Sequence, residues 1–87
     1  MKEKIYVFYS DSGHGWLKVL KREVETSGII KQISSFSHKK NQFLYLEEDC
    51  DASIFIKAQE AKGIKVKLKS FSTNRSSKIR NYERFLG

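Results

Sequence analysis

Proline is absent from this 87-residue chain, and cysteine, methionine and tryptophan occur once each. Without proline, its turns are left to glycine and to clusters of small polar residues. A single cysteine, Cys50, permits no disulfide within the chain and no cysteine-built zinc cluster. No apolar run approaches the roughly 20 residues that cross a bilayer, and Met1-Lys2-Glu3-Lys4 leads straight into a strand-like segment, so a cytoplasmic protein is expected. Internal repeats and low-complexity linkers are also missing, which leaves one small domain with little room for a deep cleft.

Acidic residues are scarce as well. There are 10 of them against 17 Lys and Arg, for a formal net charge of +7. The imbalance sits at one end. Residues 64–87 hold Lys65, Lys67, Lys69, Arg75, Lys78, Arg80 and Arg84 but only one acidic residue, Glu83, and so carry six of the seven net charges. Ile64-Lys65-Val66-Lys67-Leu68-Lys69 alternates with the period of a half-buried strand whose outer face is all ammonium. Alternate strand residues lie about 6.6 Å apart, a spacing that lets lysines follow a nucleic-acid backbone. The same pattern also keeps an edge strand from aggregating. Beyond it, Arg75, Lys78, Arg80 and Arg84 interleave with Ile79, Tyr82 and Phe85, the composition of a surface that meets phosphates or carboxylates and offers rings for stacking.

The remaining pattern predicts an α+β domain of order β-β-α-β-β-α-β over residues 1–72, with a basic tail over 73–87 docked on it. Ile5 to Tyr9 and Trp16 to Val19 read as strands around the turn Asp11-Ser12-Gly13-His14-Gly15. Leu20 to Ser27 reads as a short helix stopped by Gly28. Ile29, Ile30, Ile33 and Phe36 suggest a return to extended chain before a polar turn from Ser37 to Asn41, and Phe43 to Leu46 reads as an inner strand. A helix capped by Asp49 or Asp51 follows, with Ile54, Phe55, Ala58 and Ala61 on its apolar stripe and Gly63 at its end. Ile79, Tyr82 and Phe85, three apart, suit a helical turn or two in the tail.

Three local strings bear on chemistry. In Asp11-Ser12-Gly13-His14-Gly15-Trp16, glycines on both sides of His14 free the backbone for positive φ, so the histidine projects from a tight turn with Trp16 as anchor or flat contact. His14 oriented by Asp11 would suit a general base or a metal ligand, but the string lacks the lysine and further glycine of a phosphate loop. Glu47-Glu48-Asp49-Cys50-Asp51 places four carboxylates around a thiol, without the ligand spacing of a calcium loop. Capping and a solvated acidic turn account for it, and Cys50 is expected to be buried with a raised pKa. His14 and His38, the only histidines, would hold zinc only by converging with Asp11 or the acidic turn; no metal or other cofactor is expected. No serine lies in a nucleophile elbow.

Together with Tyr45-Leu46-Glu47-Glu48-Asp49-Cys50-Asp51 and Thr73-Asn74-Arg75-Ser76-Ser77-Lys78-Ile79-Arg80, the Asp11 to Trp16 string resembles a family of small accessory proteins of phages, prophages and plasmids. The resemblance runs over nearly the whole chain. It departs from the family in lacking a proline between Val19 and the first helix. That family carries no assigned reaction, so the resemblance supplies no catalytic residue. It implies a host cytoplasm and a non-enzymatic protein that inhibits or modulates a host nucleic-acid-targeting defence complex, of anti-CRISPR or anti-restriction type. A charge of +7 speaks against DNA mimicry as the means. Two alternatives stand beside it. One is a direct DNA- or RNA-binding module, in which Lys65, Lys67, Lys69, Arg75, Lys78, Arg80 and Arg84 neutralise phosphates and His14, Trp16, Tyr82 or Phe85 make ring or loop contacts. The other is a small metal-assisted hydrolase built on Asp11, His14 and the acidic turn. Pairing of the edge strand with its counterpart in a homodimer also stays open.

Overall fold

The computed structural model of the chain describes residues 2–73 and 78–85. Six strands, β1 (Lys2–Ser10), β2 (Gly15–Leu20), β3 (His38–Lys40), β4 (Phe43–Glu47), β5 (Ile64–Ser72) and β6 (Glu83–Arg84), form one mixed sheet in the order β5-β1-β2-β4-β3-β6. The helices are α1 (Lys21–Thr26) and α2 (Ser53–Ala61), the latter entered through a π-helical turn at Glu48–Ala52. The α+β class follows. The β1 and β2 strands pair as an antiparallel hairpin, whereas β5 returns through α2 to lie parallel to β1 at the sheet edge.

Strand parity divides the molecule. On one face Tyr6, Leu17, Val19, Leu44 and Leu46 pack under Val24 of α1 and Phe55 of α2, with Ile29, Ile33 and Phe85 completing the core. Among the described residues the other face carries no helix of eight residues or more. Trp16 and Tyr45 are covered there by Ile79 from a 3-10 turn at Lys78–Asn81, with Tyr9, Phe43 and Tyr82 packed around them. The tail therefore docks on both sides of the sheet. Ile79 lies on the open face and Phe85 is only 2% exposed in the helix-side core.

Several expectations are corrected. The segment from Ile29 to Phe36 is not extended: residues Ile30–Gln32 form a 3-10 turn, and the polar stretch read as a turn contributes β3 instead. The turn falls two residues later. Lys40 pairs with Phe43, and Asn41 takes φ 57°, a left-handed conformation that asparagine tolerates better than most residues. A strand of one His and two Lys is legible only from its partner β4, because its side chains carry no apolar alternation of their own. Leu68, on the inner parity of β5, is 47% exposed, so Ile64 and Val66 are that strand's only half-buried residues.

Candidate nucleic-acid interface

Cross-strand register brings a basic and aromatic surface together on the open face. Glu3, Ile5, Val7 and Tyr9 of β1 stand beside Lys65, Lys67, Lys69 and Phe71 of β5, while Val7 and Tyr9 face Lys18 and Trp16 of β2 on the other side. Lys18 in turn faces Tyr45, which faces His38, which faces Arg84. One row of the sheet thus reads Lys69, Val7, Lys18, Tyr45, His38 and Arg84. Phe43 and Lys40 pair one step further along.

Rings and cations touch across these strands. Tyr9 and Phe71 stack with centroids 5.9 Å apart and planes 26° apart, and Tyr45 meets Tyr82 edge-on at 5.0 Å. Ammonium groups lie over ring faces: Lys18 over Phe43 at 4.2 Å, Lys40 over Tyr82 at 4.7 Å and Lys69 over Phe71 at 5.6 Å. A cavity of about 350 Å³ opens between Tyr9, Lys18, Tyr45, Lys78 and Tyr82. Burial first, then the neighbouring Tyr82 and Tyr9, raises the Tyr45 phenol above its ordinary range, so the floor of this cavity is a neutral ring.

The strand lysines are exposed as the alternation implied, but Lys67 is partly neutralised by Glu3 at 3.2 Å. Lys78 and Arg84 are exposed in the tail. Arg75 and the side chain of Arg80 lie outside the described residues. Phe85 is corrected as a contact residue: at 2% exposure it anchors the tail, and its N–H donates to the Ser37 carbonyl at 2.9 Å. Trp16 is equally covered and serves as an anchor. Tyr9, Lys18, Lys40, Phe43 and Phe71 were missed. For Tyr9, Lys18, Phe43 and Phe71 the signal was available in the period-2 pattern of their strands, whereas Lys40 lies on β3, which reads as a turn in the sequence.

Comparison with protein-family models, curated proteins and solved structures gave no match. The local chemistry therefore stands on geometry alone.

The His14 loop is closed by Asp11, whose Oδ1 accepts the N–H groups of Gly13 and His14, each at 3.0 Å. Neither flanking glycine takes positive φ; the glycines that do are Gly28 and Gly63, both at helix ends. Gly15 is required for room, since a Cβ there would run into the ring of Phe8 and lie 3.0 Å from Glu48 Oε2.

The acidic turn is also rearranged relative to expectation. Glu47, not Asp49 or Asp51, caps the following turn by accepting the Cys50 N–H at 2.9 Å. Asp51 points inward, 1% exposed, and accepts from Ser34 N, Ser34 Oγ and Ser37 Oγ. Cys50 is exposed rather than buried. Its thiol pKa is raised, by local desolvation first and then by the hydrogen bond and charge of Glu47 and the charges of Asp51 and Asp49. Among the described residues no group of three His, Cys, Asp or Glu is placed to hold a metal ion. No described helix is long and apolar enough to cross a membrane.

Proposed function

We propose that the protein binds single-stranded nucleic acid across the open face of its sheet. The observation that carries this reading is the interleaving on that face of the Tyr9–Phe71 stack with lysines held over Phe43, Tyr82 and Phe71. Bases stack on exposed ring faces whatever their sequence, while each ammonium is one side-chain rotation from a backbone phosphate. Duplex fits less well, because its bases are already stacked and offer no face to Phe71 or Tyr9. Lys65, Lys69, Lys78 and Arg84 supply charge at the two margins of the aromatic strip.

The test is titration of labelled oligothymidylate against the protein at several salt concentrations, with duplex DNA as competitor. Binding that weakens steeply with salt and resists duplex supports the reading; no binding even at low salt overturns it. Inhibition of a host nucleic-acid-targeting complex, as the resemblance implies, would act through this same face by occupying guide or target strand. Capture from host lysate of a protein complex that survives nuclease digestion, without affinity for bare strand, would replace nucleic acid by a protein target.

A further inference from the structure

At one end of the open face lies a second cavity, of about 420 Å³, within the usual range of small-ligand sites. Its walls include Phe36, His38, Glu47 and Arg84, with the His14–Trp16 pair stacked at 6.0 Å on one side. Trp16 of β2 stands on its wall but Tyr9, Phe43 and Phe71 do not, and of the residues used in the binding mode above it shares Arg84.

Its walls carry polar groups of opposite kinds. Glu47 Oε2 is engaged by the Cys50 N–H, but among the described residues Oε1 makes no hydrogen bond. Arg84 stands on β6, two strands away from Glu47 on β4, or about 10 Å of strand spacing. A carboxylate accepts only, and a guanidinium fork donates only. His38, also on the wall, is held by Nδ1 against the Tyr82 carbonyl at 3.0 Å, which makes Nδ1 the donor and leaves Nε2 the acceptor of a neutral ring. Phe36, 61% exposed, supplies a bare ring at the mouth. Asp49 adds a second negative charge to the wall, so a phosphate group alone is disfavoured.

We infer that this pocket receives a guanine base of the bound strand, stacked on Phe36 with its N1–H and N2–H₂ edge toward Glu47 and its O6/N7 edge toward Arg84. Guanine is the nucleobase that pairs two adjacent donors on one edge with two adjacent acceptors on another. Adenine and cytosine turn an amino group toward the arginine fork, and uracil or thymine flanks its single N–H with carbonyls that Glu47 repels. The inference rests on the open-face reading, and deepens it by giving one position along the strand a base preference.

The experiment compares a short oligothymidylate with the same oligomer carrying one guanine, adenine or cytosine, read by quenching of Trp16, the only tryptophan. A single guanine is expected to tighten binding about tenfold, adenine and cytosine not to do so. E47Q retains an acceptor for the Cys50 N–H and R84K retains the charge, yet each should abolish the guanine advantage. Equal affinity for all four oligomers, or a guanine advantage that persists in E47Q, overturns the pocket assignment while oligothymidylate binding by the unmodified protein upholds the open-face reading. Loss of binding to every oligomer in the unmodified protein overturns both.

Discussion

Ser37 and Asp51, fourteen positions apart, share a fully enclosed hydrogen bond in which the serine hydroxyl donates to Asp51 Oδ2 and itself accepts the Glu47 N–H at 2.9 Å. The pair ties the loop before β3 to the entry of α2. Since Ser37 also offers its carbonyl to the Phe85 N–H, the tail, the loop and the acidic turn are fastened at one point.

Asp51→Ala should therefore be among the most destabilising single changes, by about 3 kcal/mol, because it strands the Ser34 N–H, the half-buried Ser34 hydroxyl and the buried Ser37 hydroxyl without an acceptor. Asp51→Asn keeps one acceptor oxygen and should lose less. Urea unfolding of the two variants measures the difference; equal losses would mean that one amide oxygen cannot stand in for the carboxylate at all.

Gly15→Ala is expected to lose about 1–3 kcal/mol although the backbone there is ordinary, because the added methyl collides with the Phe8 ring. Gly15→Ala combined with Phe8→Leu should recover part of that loss. A thermal melt of single and double variants decides whether sterics or turn conformation makes the glycine necessary.

Tyr6 is pushed up to about 12 from the ordinary tyrosine value of 10.0, by burial first and then by its hydrogen bond to Glu23, with Gln59 pulling the other way. A phenol that holds its proton more tightly when folded contributes stability that is fully present below pH 10 and is lost as pH rises toward 12. The loss attributable to Tyr6 is about 2 kcal/mol. Tyr6→Phe removes neither partner of the Lys4–Glu23 pair, so any slope remaining in that variant between those pH values reports the lysines and Tyr45, whose phenol is also raised. Melting temperatures of both proteins across the interval give the comparison.

On the open face, the strand lysines should not be equivalent. Lys69→Ala is expected to lower the salt dependence of oligonucleotide binding by about 0.7 in log–log slope, the value of one phosphate contact on a single strand. Lys67→Ala should lose less, because Glu3 already holds that ammonium, and Glu3→Ala should strengthen binding by freeing it. Phe71→Ala should weaken binding by about 1–3 kcal/mol with little change in the salt slope, as a stacking contact does. Equal losses for Lys67→Ala and Lys69→Ala, an opposite effect of Glu3→Ala and none of Phe71→Ala would point to bulk charge rather than a defined track.

Much of the outline was legible from residue order. Short apolar and aromatic runs marked β1, β2 and β4, lysine alternation marked β5, the helical spacing around Phe55 marked α2, and Gly28 and Gly63 marked the helix ends that take positive φ. Each of these depends on near neighbours in sequence, which is why local patterns suffice. The lysine strand was likewise visible, and its place at the sheet edge agrees with its charge.

Only the tertiary structure decided which residues meet. Ser37 to Asn41 looked like a turn because its side chains are polar, and His38 to Lys40 within it became a strand because β4 and β6 offer backbone partners on both sides. Asp51 looked like a cap because it precedes a helix, and it turned inward because two serines from a distant loop satisfy it better than solvent-side N–H groups. Phe85, Trp16 and Tyr82 have similar rings in the sequence, yet burial leaves Phe85 and Trp16 as anchors and Tyr82 half-exposed beside Lys40. Composition and periodicity determined that this chain would be a basic α+β domain with an amphipathic edge. Strand order and register, set by non-local pairing that no local pattern encodes, determined that its aromatic residues and lysines would share one open face.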